Sequence, residues 1–488
     1  MKPTVAGGPA LAVLAGAQFV VTMSTSIVNV ALPSVRDGVG LSDAGMSWVV
    51  NAYGLAFGAL LLLGGRAADL FGRRRVLLAG LAVFAAASLT AGLSTTPGLL
   101  ITSRTLQGLG AAAVAPAALA LVMGLFPPGP GRGRALGVWG AVSGAGGAAG
   151  VLAGGLLTQG LGWPSIFYVS SIGAVLVAAA VAVLVPATAA SGGPGNRLDL
   201  AGTFTVTLGL VALVYGLTTA RQSGWTSPLV LGTLGGGAVL LVLFSFVERR
   251  HSTPLLPRRL FSQGLVVPAN GAMALLGAVW IGLFFFLPLY HQQVLGAGPL
   301  ETGVSQLPLG AANIAGSFLA PRLARRLGPH VTLAAGLLSQ AVGLLWLTRV
   351  SAQGSFAADL LGPVVVIGLG LGIAFVQLTA AAVTGVRPAD SGLAGGLVNT
   401  SRQIGGSIGL AVLSTLAAST TAAAETHHIG HAEALTEGYR TAFLLSAALI
   451  VAAAALTPLL ARRTARHNET DATRALRAAA PRPFRARR

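Results

Sequence analysis

The chain has 488 residues, of which 54% are hydrophobic and only 9% charged, whereas a soluble domain carries about 25% charged residues to face water. Its net charge of +18 would fit nucleic acid in a soluble protein, but the arginines sit between hydrophobic blocks and in the tail, which excludes that partner. Cysteine is absent, which removes disulfides, thiolate metal sites and cysteine nucleophiles.

The apolar residues come in blocks of roughly 20, the length that crosses ~30 Å of hydrocarbon, and the mean hydropathy is +0.77. The pattern predicts an all-α polytopic membrane protein with fourteen transmembrane helices. In chain order they run over 10–32, 47–65, 76–94, 98–124, 134–158, 165–185 and 200–219, then 228–247, 264–290, 301–320, 331–348, 361–384, 392–420 and 440–460. The first follows a single lysine, Lys2, and lacks a small-residue cleavage site after it, so it reads as a retained span and not a signal peptide. Polar turn residues such as Pro33-Ser34, Pro127-Pro128 and Ser191–Asn196 read as breaks.

The positive-inside rule tests this count. Most of the 31 Lys and Arg fall on loops that share one side. Arg36, Arg221, Arg349 and Arg440 fall on the other, and Arg104 and Arg402 lie within spans. Both termini are therefore expected in the cytoplasm. The tail, 462–488, mixes nine arginines with Glu469 and Asp471 and reads as a basic disordered segment resting on anionic lipid.

The loop after the second span reads Gly64-Gly65-Arg66-Ala67-Ala68-Asp69-Leu70-Phe71-Gly72-Arg73-Arg74-Arg75. Gly72 permits a tight bend, and Asp69 stands four residues from Arg73, within pairing range. The fourth span holds Arg104-Thr105-Leu106-Gln107-Gly108, and an arginine so placed is costly by ~2.5 kcal/mol or more unless satisfied. It either snorkels outward or serves the interior. Arg402, eleven residues into the thirteenth span, should face the bundle interior, as an anchor on carbonyls or as part of a transport site. The fifth span carries Gly140, Gly144, Gly146, Gly150 and Gly154, a spacing that allows close helix packing. His427, His428 and His431 lie near Glu425 and Glu433 and read as a solvated loop, with no metal site expected.

These segments resemble the major facilitator superfamily. Gly-x-x-x-Asp-x-x-Gly-Arg-Arg is similar to its signature between spans two and three, which implies a gating role for Gly65, Asp69, Gly72 and Arg73. Arg-x-x-Gln-Gly is similar to a signature of drug/proton antiporters, which implies proton coupling at Arg104 and Gln107. Gly150-Val151-Leu152-Ala153-Gly154-Gly155 resembles an exporter signature, with Val151 in place of its proline. Phe286–Gly296, Glu301-Thr302-Gly303, Leu307-Pro308 and Ser391–Gly406 resemble the fourteen-span drug/proton antiporter family of EmrB/QacA type. The resemblance covers about 10–460. It implies two six-helix bundles, 1–190 and 251–461, joined by two linking helices in 191–250, with a binding site between the bundles.

One departure bears on chemistry. Family members commonly show Leu-Asp-x-Thr-Ile-Val-Asn in the first span, and Ser24 stands where that aspartate is expected. All thirteen Asp and Glu lie in loops, at span ends or in the tail. The expected substrate is therefore a neutral or anionic small molecule. The candidate binding residues are Ser24, Ser26, Asn29, Asn51, Asn270, Trp280, Asn313, Gln377, Asn399 and Arg402.

Neither a Walker loop nor a hydrolase motif is present, so the expected activity is secondary transport, not enzymatic catalysis. The expectation is drug or antibiotic export through a bacterial inner membrane by alternating access, with protons as the coupling ion, the bilayer as partner and no cofactor. Asp43, Glu301 or His291 are alternative proton sites. The alternative functions are a metabolite importer or facilitator of the same fold and a non-transporting membrane sensor.

Overall fold

A backbone in hydrocarbon satisfies its N–H and C=O groups within a single segment only as a helix, and in the computed structural model every apolar block is one. The structure describes residues 7–126, 130–186, 199–250, 254–256, 258–263, 265–386, 391–427 and 430–458. The first eight long helices are α1 (Gly7–Val39), α2 (Asp43–Phe71), α3 (Arg73–Gly92), α4 (Pro97–Leu125), α5 (Pro130–Leu161), α6 (Pro164–Leu184), α7 (Leu200–Ser223) and α8 (Pro228–Arg250). Six more follow: α9 (Val266–Gln293), α10 (Leu307–Leu327), α11 (Pro329–Leu347), α12 (Leu361–Val383), α13 (Ser391–Glu425) and α14 (His431–Ala455).

Among the described residues, 13 helices are long and apolar enough to cross a membrane. The fourteenth, α10, gives its last turns to Arg322, Arg325 and Arg326. That span differs from its expected bounds, 301–320. A short helix, Pro299–Ser305, ends at Gln306, and α10 then restarts with Pro308 in its first turn, where the missing N–H of proline is harmless. Pro33 was expected to end the first span, but α1 carries through it to Val39. One backbone bond is lost there, while Leu32 and Val35 on either side are both 0% exposed, so packing holds the helix together. Pro127-Pro128, 191–196 and the 462–488 tail lie outside the described residues.

The two halves repeat one packing scheme. In the first, α1 packs on α5, α2 on α4, and α3 on α4 and α6; in the second, α9 packs on α13, α10 on α12, and α11 on α12 and α14. Even the tight links recur. Gly72 joins α2 to α3 with φ 96°, and Gly328 joins α10 to α11 with φ 83°, conformations that a residue with a Cβ adopts only under strain.

The halves meet where α2 runs along α13, where α5 meets α10 and the short helix before it, and where α1 touches α9. Away from the arginine-rich end, Gln292 Nε2 donates to Val30 O at 2.8 Å and Leu300 N donates to Gln159 Oε1 at 3.1 Å. The linking helices α7 and α8 pair with each other. Trp48 Nε1 donates to Thr218 Oγ1 at 3.1 Å, and Thr415 Oγ1 donates to Leu217 O at 2.9 Å, so α7 is fastened to both halves. Only 11% of the apolar stretch of α8 is buried.

Candidate functional site

Thr96 caps α4, and Pro97 starts it. Seven residues on, Arg104 lies about 10 Å along the helix axis. Its side chain does not snorkel outward; it turns inward and is 1% exposed. Nε donates to Val49 O at 3.0 Å, Nη1 donates to Gln107 Oε1 at 2.5 Å, and Cζ lies 4.5 Å from the centroid of the Tyr53 ring. A backbone carbonyl, an amide and an aromatic face thus replace water around the guanidinium.

The network continues through Gln107, which is 0% exposed. Its Nε2 donates to Ser24 Oγ at 3.0 Å and to Ser88 Oγ at 2.8 Å. Ser24 Oγ in turn donates to Ser170 Oγ at 3.2 Å. One polar chain therefore crosses the first bundle, contributed by α1, α2, α3, α4 and α6. Ser24, standing where the family's acid is expected, is a fixed member of it and is linked to Arg104 through one amide.

The second bundle presents a different arrangement around Arg402. Cζ of Arg402 lies 5.5 Å from the Trp280 ring, and Trp280 meets Phe375 edge to face at 5.6 Å. Nε of Arg402 is buried with no hydrogen-bond partner among the described groups. Tyr53 lies within electrostatic reach of both arginines. Along the α2–α13 contact, Gly54 faces Ser407 and Gly58 faces Gln403. Asn51 is 1% exposed, and neither of its amide atoms has a partner among the described groups. Ser407 Oγ and Gln403 Oε1 are buried without partners too.

The remaining candidates are scattered. Ser26 turns to its own helix and donates to Met23 O at 3.1 Å. Asn29 donates to Thr25 O at 3.4 Å, and its Oδ1 is buried without a partner. Asn270 accepts from Ser401 Oγ at 3.0 Å, and Gln377 Nε2 donates to Ala320 O at 3.2 Å. Asn313 is half-buried and Asn399 exposed. At the arginine-rich end, Arg73 Nη2 donates to Asp69 Oδ1 at 3.1 Å, and its Nη1 reaches Ala120 O at the same distance. That residue therefore ties the α2–α3 turn to the end of α4; Gly65 packs beside Pro116.

Sequence reasoning missed Tyr53, Ser88, Ser170, Gln403 and Ser407. Tyr53 carried a usable signal, a phenol two residues after Asn51 in a mostly apolar block. The serines did not, because hydroxyls bond to their own helix in many spans. Among the described residues, the one buried carboxyl belongs to Asp199, ahead of α7, and none lies beside Arg104 or Arg402.

A pair of bundles of membrane-length apolar helices, with buried polar groups and an arginine inside each, is a small-molecule transporter, not an enzyme. The Major Facilitator Superfamily model matches residues 14–410, and the chain belongs to that family. It is 42% identical over 457 residues to the puromycin resistance protein pur8 of Streptomyces alboniger, covering 92% of this chain and 90% of that one. It is 40% identical over 459 residues to the cephamycin export protein CmcT of Amycolatopsis lactamdurans, covering 92% of each. A solved bacterial homologue of the human lysosomal transporter Spinster shares the fold, with a TM-score of 0.67 at 17% identity, covering 94% of this chain and 98% of that one. The chain is thus a multi-pass membrane protein of the efflux type, as its motifs led us to expect.

Proposed function

We propose that this transporter exports an antibiotic-like small molecule, neutral or anionic, in exchange for protons. The observation that carries the charge assignment is the buried, unpartnered Nε of Arg402 beside Trp280 and Phe375. With no carboxylate nearby among the described residues, that guanidinium is matched by an acidic or carbonyl oxygen on a ligand, and the two rings suit an apolar body. Export is supported by relatives named for resistance and export.

Asn51, Asn29, Ser24, Ser26, Asn270, Trp280, Asn313, Gln377 and Asn399 complete the candidate binding set. Bundles 1–190 and 251–461 rock about the site, and the 191–250 helices follow. The Gly65, Asp69, Gly72 and Arg73 turn latches the arginine-rich end. Arg104 and Gln107 serve proton coupling through the chain to Ser24. The arginine-rich end and both termini face the cytoplasm of a bacterium, with the helices in its inner membrane.

The test is proton flux in proteoliposomes under an imposed pH gradient, with cationic, neutral and anionic antibiotics added in turn. Neutral or anionic compounds are expected to collapse the gradient, and Arg402→Gln to abolish the anionic response first. If labelled compounds crossed without moving protons, antiport would be wrong and the chain would be a facilitator. If only cations were carried, the charge assignment would be wrong.

A further inference from the structure

Three arginines follow the α2–α3 turn in succession, and the helix sends each one a different way, because successive residues point about 100° apart. Arg73 is held by Asp69 Oδ1 and Ala120 O, each at 3.1 Å. Arg74 donates from Nη2 to Ala182 O, in the last turn of α6. Arg75 is exposed and has no partner among the described groups. Beside it lies a groove of about 520 Å³, lined by Leu70 and Phe71 from the end of α2 and by Arg75, Val76 and Ala79 from α3. Phe71 is 55% exposed.

The groove continues as a stripe along α3. Ala79, which lines the groove, is exposed, and so are Val83, Ala86 and Leu89. Counted from Arg75 these fall at i+4, i+8, i+11 and i+14, on one side of the helix. The stripe runs about 21 Å along the axis from the arginine, most of the way across ~30 Å of hydrocarbon. A water-soluble partner cannot follow it to that depth. What covers it is long and apolar, and what meets Arg75 at its end is an anion, because no described carboxylate pairs with that guanidinium and Asp69 is taken by Arg73.

We propose that the groove binds an anionic phospholipid, its phosphate on Arg75 and one acyl chain along Ala79, Val83, Ala86 and Leu89. The guanidinium offers paired N–H donors that match phosphate oxygens. Leu70, Phe71 and Val76 wall the glycerol and the upper chain. A zwitterionic lipid brings the same phosphate together with its own ammonium, which offsets the attraction, so the site selects by headgroup charge. One basic residue at an anionic membrane surface corresponds to a preference of about fivefold. The site is separate from Arg104, Arg402 and the candidate binding set.

The experiment is native mass spectrometry of the full chain, released from micelles that hold phosphatidylglycerol and phosphatidylcholine in equal amounts, with circular dichroism to check the fold. The wild type is expected to keep phosphatidylglycerol as its first bound lipid, about fivefold over phosphatidylcholine. Arg75→Gln should bring that ratio close to one. Ala79→Phe fills the groove and should lower phosphatidylglycerol retention, and it serves if the first variant does not fold. Arg326→Gln, which removes an exposed arginine beside the matching turn of the second half, should leave the preference unchanged. Equal retention of the two lipids by the wild type would overturn the proposal. So would a preference that Arg75→Gln and Ala79→Phe leave intact, or one that Arg326→Gln weakens as much as Arg75→Gln, since the charge would then act through the whole arginine-rich end.

Discussion

Replacing Gln107 with leucine tests the polar chain at its junction. The two side chains are of similar size, so the change removes hydrogen bonds without opening a large cavity. Ser24 keeps Ser170 Oγ at 3.2 Å, and Ser88 keeps Phe84 O at 2.7 Å, so these two losses are small, about 0.6 kcal/mol each on membrane double-mutant averages. Arg104 loses a charge-assisted partner in a site where it is 1% exposed, worth about 1.5–3 kcal/mol. The expected cost is therefore about 3 kcal/mol, most of it from Arg104. The assay is reversible unfolding in mixed micelles of Gln107→Leu, Arg104→Met and the double variant. A coupling energy of about 1.5 kcal/mol or more is expected between the two positions. Single-variant costs that simply add, within about 0.5 kcal/mol, would refute the chain as a unit.

Gly72→Ala and Gly328→Ala should each cost about 1–2 kcal/mol through their left-handed turns, read as lowered melting temperatures; unchanged melting would mean that the turns relax freely. Asp69→Asn removes a pair in which Arg73 and Asp69 are 34% and 51% exposed, so stability should change by less than about 1 kcal/mol while transport turnover falls. A large stability loss with normal turnover would make the pair structural. Ser24→Asp sets a carboxylate on the Gln107 amide, next in line to Arg104, and is expected to add lipophilic cations to the substrates carried in a growth-protection assay. A variant that gains none counts against charge selection at that position. Gly154→Val drives a side chain against Ile27 O, 2.5 Å from a Cβ at that position, and should lower the yield of folded protein by separating α1 from α5.

Much of the fold was legible because hydrocarbon imposes a coarse rule, about twenty apolar residues per crossing. The ends of helices were not, because a helix may run on past the hydrocarbon without penalty: α1 spans 33 residues, about 50 Å by helical rise. Pro33 misled for a related reason, since a proline breaks a helix only where neighbours do not hold the next turn. In the site, Arg104 and Arg402 stood out as charges in apolar blocks, but the sequence could not say that the Nε of one has a partner and that of the other has none among the described groups. That distinction depends on Val49 and Tyr53 arriving from α2.

The thin attachment of α8 carries a consequence of its own. The bundles already meet through α2 and α13, α5 and α10, and α1 and α9, so α7 and α8 add perimeter in the lipid more than they add core. What they must preserve is parity. An odd number of crossings at this joint would deliver α9 to the opposite face of the bilayer and turn the entire second bundle upside down. A hairpin of two returns the chain to the side it left, so the repeat closes across the insert as it would without it.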